Sequence, residues 1–453
     1  MDDEVVASFV VFRHGARGLS ANAFRSLRAD EPAAAAVPAV DQWAHKLDDL
    51  SATGELQMHV LGEWLLGQYL SGRAGDEMRS SLLTEAGSVR WHSSPVDRVV
   101  RSGHAFLRGC RAASRAPVGP ELPLPSAQDA VHDADGGAGD ASDAAFRPWV
   151  HNEPYRAAAD EWRRGPALSG KALATSGETR RLHRAALARA AEEAPSPSVQ
   201  RGAAAEEDPS REDGSEDHKR SGELSPASRR LYRTTYLLEV LECERHWCPR
   251  DDEAGGGAVA SEGPGAAASS SAPLRLGARG IRPVLTASLP PSRRRRVEEL
   301  ARFVWGGRFF SRPARRLGRP LLRLAVATLA AHADAAGAAA AAAPPRLTVC
   351  SAHDYTILAL LSALRVSAYP GRVMSFGAFV VLELRRSRGA PGRAPAFTVD
   401  VLLNAEPFPH ASTSRLSSRP LRLCSGGTRA LVSDVPLESL AFLAEAASAP
   451  RRA

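Results

Sequence analysis

Apolar positions along the chain fall into two clear periods. From Val5 to Phe12 they form an unbroken, β-branched and aromatic run that stops at His14-Gly15, which predicts a buried strand entering a tight turn. Between Thr53 and Leu70 the residues Leu56, Val60, Leu61, Trp64, Leu65 and Tyr69 recur at helical spacing, with Thr53 as the predicted N-cap. A short strand is predicted over Val89 to His92, and a helix after Pro95 that runs through Phe106 and Leu107. Helical spacing returns over 294–305, 319–335 and 356–364. Strand patterns cover 346–351, 376–384 and 397–403.

The middle of the chain reads differently. Residues 112–150 are rich in Ala, Pro, Asp and Gly, 192–228 are charged and almost without apolar groups, and 251–273 are Gly, Ala and Ser. The latter two stretches bury too little surface to offset their ordering entropy and are expected to be disordered. Between them, Leu231 to Leu241 predicts a helix. Sheet-forming segments thus lie at both ends of the chain. The expected architecture is an α/β core built from 1–115 and 318–453, interrupted by a mostly helical cap over 116–317.

Composition narrows the class. At 453 residues with 44% hydrophobic and 24% charged side chains, the chain can bury a large core. The net charge of +7 comes almost wholly from Arg, the lysines being Lys46, Lys171 and Lys219. No basic stripe is interleaved with aromatics, so no nucleic-acid partner is expected, whereas a phosphorylated substrate would benefit from the field. The five cysteines are sparse and do not read as a disulfide framework. Cys243, His246 and Cys248 lie close together, but their spacing fits no standard zinc finger, and an ordinary helix end is the expectation. The start MDDEVVASFVVFRHG is acidic with a short apolar run, and the apolar segment 321–343 is broken by Arg323, His332 and Asp334. Neither a secretion signal nor a transmembrane segment is expected, and the protein is expected to be cytoplasmic or otherwise intracellular.

The strongest chemical signal is Arg13-His14-Gly15-Ala16-Arg17 at the end of the first strand. Ligands of open α/β sheets bind at the carboxyl ends of strands. A histidine packed for structure alone would not sit between two cations, which disfavour its protonation and must be desolvated with it. An anion site accounts for all three side chains, because the planar guanidinium fork suits tetrahedral oxyanions and leaves the imidazole free to attack.

RHGxR after a strand resembles the signature of the histidine phosphatase superfamily, and further pieces follow in the order of its acid phosphatase and phytase branch. Leu50-x-x-Thr53-Gly54-x-x-Gln57 with Leu61-Gly62 is similar to its first-helix motif. Ser93-Ser94-Pro95-Val96-Asp97-Arg98 with Ser102 is similar to its mid-chain arginine segment, and Gly318-Arg319-Pro320-Leu321-Leu322 to the start of the helix before its last catalytic strand. Ser351-Ala352-His353-Asp354 matches its His-Asp motif. Ser375-Phe376-Gly377-Ala378, Val401 to Asn404, and Val435-Pro436-Leu437-Glu438 resemble its closing segments. Val10 to Arg17 is especially similar to the lysophosphatidic acid phosphatase type.

The resemblance implies a three-layer sandwich, with a mixed, mostly parallel sheet between helices. It also implies roles. His14 would be the nucleophile, forming a phosphohistidine. Arg13, Arg17 and Arg98 would bind the phosphoryl oxygens, His353 would add a hydrogen bond, and Asp354 would protonate the leaving oxygen. No cofactor and no metal are implied, and the substrate would be a small phosphomonoester such as an inositol phosphate or a lysophospholipid phosphate. The chain departs from the family pattern at Gly18-Leu19, where Ser or Thr and then Pro are usual, at Val99 and Tyr355, where Thr is common, and at Val435, where a partner for Cys424 would stand. These departures leave a second expectation open, a catalytically weak phosphate-binding or regulatory module of the same fold.

Overall fold

The computed structural model describes residues 4–28, 43, 47–85, 87–114, 166–183, 225–247, 289–310, 313–335, 344–366, 374–387, 396–408 and 429–445. Six strands form one sheet: β1 (Glu4–Arg13), β2 (Val89–Ser93), β3 (Leu347–Ala352), β4 (Phe379–Arg386), β5 (Phe397–Asn404) and β6 (Arg429–Pro436), in the order β2-β3-β1-β4-β5-β6. Pairing is parallel for β2–β3 and β3–β1 and antiparallel for β1–β4, β4–β5 and β5–β6. The sheet is mixed as expected, and β1, β2, β3 and β5 run one way. Yet three of the five pairings are antiparallel, because β4, β5 and β6 follow one another in the chain and pair in that order as a meander. Strand β6 has no separate expectation in the sequence. Its alternating apolar residues are few, and only its end at Val435-Pro436 was legible.

The helices are α1 (Ala21–Arg28), α2 (Ala52–Gln68), α3 (Asp76–Thr84), α4 (Asp97–Ser114), α5 (Pro166–Ala174), α6 (Pro226–Trp247), α7 (Pro291–Phe309), α8 (Arg319–Ala335), α9 (Asp354–Ala363) and α10 (Leu437–Glu445). The N-cap of α2 is Ser51 and not Thr53: the Ser51 hydroxyl accepts from Gly54 N at 2.9 Å and donates to Ala16 O at 2.8 Å. The capping position moved because Ser51 serves both the helix and the turn after β1. Helix α6 begins at Pro226, inside the end of a stretch expected to be disordered, while 192–224 and 251–273 lie outside the described residues.

Alternation along the strands divides the sheet between two apolar layers. Phe9, Val11, Cys350, Val380, Leu382 and Val401 pack with Leu321 and Leu322 of α8, Ile357 and Leu361 of α9, and Leu440 of α10. Val10, Phe12, Val349, Phe379 and Val381 face the other way, onto Met58, Leu61 and Leu65 of α2 and Phe106 of α4. A third cluster gathers Leu19, Ala23 and Leu27 with Leu168, Leu237, Leu241, Val297 and Leu300, and reaches the sheet end at Ala16 and Phe376. Among the described residues, no helix is long and apolar enough to cross a membrane.

Helices α2 and α4 touch backbone to backbone. A Cβ on Gly109 of α4 would collide with the carbonyl of His59 of α2. Gly109→Ala is therefore expected to lower unfolding free energy by about 1–3 kcal/mol through overpacking, seen as a reduced urea midpoint at unchanged slope.

Candidate active site

Register brings the candidate residues to one end of the sheet. Arg13 lies opposite Ala352, and Ser93 opposite Ser351, so the carboxyl ends of β1, β2 and β3 are level. Phe12 lies opposite Phe379, so the segment entering β4 arrives at the same end. Backbone bonds then fix the turn: His14 N donates to Ala352 O at 3.0 Å, and His14 O accepts from Gly377 N at 3.2 Å. Gly15 N donates to Ser102 Oγ at 3.1 Å, and Ala16 N to Gln57 Oε1 at 2.9 Å. A side chain at Gly15 would run into the backbone of Gly54, so the close approach of α2 requires glycine there.

His14 is buried, and its Nδ1 lies 2.8 Å from the carbonyl oxygen of Gly15. A carbonyl accepts only, so Nδ1 carries the hydrogen and the Nε2 lone pair is left for chemistry. Burial, then Arg98, Arg13, Arg17 and His353, hold the imidazole pKa well below its ordinary 6.5.

The three arginines surround this ring. The Arg13 guanidinium donates to Met374 O, lies 4.2 Å above the centre of the Phe376 ring, and has Nη2 3.4 Å from Asp354 Oδ2. Arg17 donates to Gly18 O at 2.7 Å and has Nη2 3.0 Å from Glu239 Oε1. Asp48 Oδ1 lies 3.7 Å from Arg17 Nη1 and 3.3 Å from Arg98 Nη1. Burial pulls the Arg17 pKa down, but Glu239 and Asp48 outweigh it and the net shift is upward. Arg98 shifts downward, burial outweighing Asp48. The Nε–H groups of Arg13, Arg17 and Arg98 are buried with no hydrogen-bond acceptor among the described residues. That leaves donor capacity for an anion.

On the other side, His353 and Asp354 form the junction of β3 and α9. The His353 ring meets that of His14 edge-on at 5.6 Å, and its Nε2 lies 3.4 Å from Ser94 Oγ. Asp354 is the first residue of α9, where the helix dipole favours a carboxylate, and its Oδ1 accepts from Tyr355 N at 2.8 Å. All six residues singled out in the sequence, Arg13, His14, Arg17, Arg98, His353 and Asp354, thus meet at one place.

The sequence reading missed others. Asp48 and Glu239 had no motif. His246, weighed as a metal ligand, lies 3.1 Å from Gln57 Nε2 through its Nδ1 and so backs the Ala16 amide. Cys243 is buried beside it with its thiol pushed up by burial, and Cys248 lies outside the described residues. Among the described residues, no group of three or more His, Cys, Asp or Glu is placed to hold a metal ion.

No protein-family model matches the chain. No curated protein resembles it in sequence. Solved structures do resemble it in three dimensions. The phytase of Hafnia alvei in complex with tartrate shares 13% identity over 99% of this chain and 98% of its own, at a TM-score of 0.56. The phytase of Klebsiella sp. ASR1 shares 14% over 98% and 95%, at 0.54. The multiple inositol polyphosphate phosphatase of Bifidobacterium longum, in complex with inositol hexasulfate, shares 15% over 92% and 90%, at 0.50. The chain therefore has the fold of these phytases and of this inositol polyphosphate phosphatase.

Proposed function

We propose that the chain is a phosphomonoester hydrolase of the histidine acid phosphatase type, working through a phosphohistidine on His14. The observation that carries this is a buried imidazole with its Nδ1 tied to Gly15 O, ringed by Arg13, Arg17 and Arg98, and 5.6 Å from His353 between ring centres. A structural histidine would gain nothing from three cations. A nucleophile does, because they collect the phosphoryl group and keep the lone pair unprotonated.

In the first half-reaction the Nε2 lone pair forms a bond to phosphorus as the bond to the ester oxygen breaks. The carboxylic acid of Asp354 gives its proton to that oxygen, and the alcohol leaves. In the second, water attacks phosphorus, Asp354 takes a proton from it, the P–N bond breaks and phosphate departs. Arg13, Arg17 and Arg98, with His353, neutralise the equatorial oxygens, so charge stabilisation needs no added metal. The phytase and inositol polyphosphate phosphatase neighbours support a small phosphorylated substrate, an inositol phosphate or a lysophospholipid phosphate among the classes to be tried.

Phosphate release from an aryl phosphate in the presence of chelator is expected for the wild type and absent for a folded His14→Ala variant. A folded wild type inactive on a panel of monoesters would leave only a phosphate-binding module. Asp354→Asn is expected to slow an alkyl ester by about 10²–10⁴-fold but a nitrophenyl ester far less, since the latter's leaving group needs little protonation. The His14 ring is expected to titrate well below 6.5 by nitrogen NMR, because burial and cations oppose its charge. Removing one cation in Arg98→Gln must move that midpoint upward; an unmoved or falling midpoint would contradict the assigned electrostatics.

A further inference from the structure

Resting on the hydrolase reading, we propose that His246 is a positioning residue for the reaction. It is the last acceptor of a hydrogen-bonded relay that starts at the Nδ1–H of His14 and that orients and polarises this nucleophile.

The relay passes through one peptide group. His14 Nδ1 donates to Gly15 O at 2.8 Å, and the N–H of the same peptide unit, that of Ala16, donates to Gln57 Oε1 at 2.9 Å. The bond is trans, so its C=O and N–H point in opposite directions and the two side chains grip the unit from opposite sides. With its oxygen committed to Ala16, Gln57 turns its amide nitrogen to His246 Nδ1 at 3.1 Å, where only an unprotonated nitrogen accepts. The hydrogen of this neutral ring is then on Nε2, which has Glu242 Oε2 at 3.9 Å. Every donor points from His14 toward His246, so each bond strengthens the next, and all three side chains are buried, where such bonds are stronger than in water.

The chemistry uses this direction. As His14 Nε2 bonds to phosphorus the ring gives up electron density, and its Nδ1–H becomes a stronger donor. The relay therefore holds the ring more tightly in the transition state than before attack, which is the condition for faster chemistry. No proton has to cross the peptide: tautomer, ring plane and polarisation are what His246 supplies, from the last turn of α6. The same ring also packs. It meets Phe376 edge-on at 5.5 Å, and Phe376 lies 4.2 Å below the Arg13 guanidinium and 5.8 Å from the His14 ring. Packing and acceptor can be separated, because His246→Phe keeps a ring without the acceptor, and His246→Asn puts Oδ1 in the place of Nδ1 without the ring.

The test compares wild type, His246→Asn and His246→Phe by the rapid-quench rate of phosphohistidine formation from an aryl phosphate, by inhibition with inorganic phosphate, and by the NMR shift of the His14 Nδ1 proton. His246→Phe should slow phosphohistidine formation about tenfold, the value of one buried hydrogen bond in the transition state. Its phosphate inhibition constant should stay within about twofold, since ground-state binding by the three arginines is untouched. His246→Asn should keep the rate within about threefold of wild type. The His14 Nδ1 proton should move upfield in His246→Phe and stay near its wild-type position in His246→Asn. Should His246→Phe not fold, a scalar coupling from Gln57 Nε2–H to His246 Nδ1 in the wild type reads the last link directly. Its absence would overturn the proposal, as would wild-type rate and shift in His246→Phe, or a rate in His246→Asn as low as in His246→Phe. The expected shifts and coupling without phosphohistidine in the wild type would leave the relay standing and remove the hydrolase reading. Phosphohistidine formed at equal rates in all three proteins would do the reverse.

Discussion

The site depends on keeping three guanidinium groups around one uncharged imidazole before any anion arrives. Two unit charges about 6 Å apart at an effective dielectric near 20 repel by about 3 kcal/mol, so three such pairs would strain the strand end considerably. Two things relieve this. His14 gives up its own charge, its proton affinity lowered first by burial and then by the arginines. Asp48, Glu239 and Asp354 supply counter-charge at 3.0–3.7 Å. The same groups that make the empty site tolerable then compete with the substrate, and this couples the stability of the fold to what the site accepts.

The geometry that makes the crowding useful is set by backbone rather than side chains. His14 is held on both sides by sheet neighbours, through Ala352 O and Gly377 N. The turn after it hangs from Ser102, Gln57 and Ser51. Ser102 Oγ in turn donates to Arg98 O at 2.7 Å, so the helix that presents Arg98 also props the Gly15 amide. Gln57 must accept from Ala16 N, which leaves its amide nitrogen to donate to His246 Nδ1. Helices α4 and α2 are thus each tied to the turn by a single hydrogen bond from a buried side chain, and α6 stands behind Gln57 of α2.

Much of this was legible because it is local. The run Val5–Phe12, the RHGxR pentapeptide and Ser351–Asp354 each combine a strand pattern with reactive residues in a few positions, and register alone brings them together. The N-cap was misplaced at Thr53 because Ser51 and Thr53 fit capping equally well until the Ala16 carbonyl is in view. Asp48 and Glu239 were not legible at all. Glu239 sits in α6 among Leu237, Leu238, Val240 and Leu241, where one acidic residue reads as a solvated face. Its partner Arg17 is more than two hundred residues away, and no periodicity carries that separation.

The departure at Gly18-Leu19 now has a physical account. Here Gly18 contributes its carbonyl to Arg17 at 2.7 Å, and Leu19 is buried in the cluster that joins α1, α6 and α7. The next residue, Ser20, donates its backbone N–H at 2.8 Å to Glu239 Oε1, the same oxygen that faces Arg17. One carboxylate oxygen therefore fixes both the loop and the arginine, and it belongs to α6. The brace for this loop comes from a helix in the middle of the chain. Movement of α6 would release Arg17 and the loop together, so the affinity of this site for phosphate is linked to how firmly that helix packs.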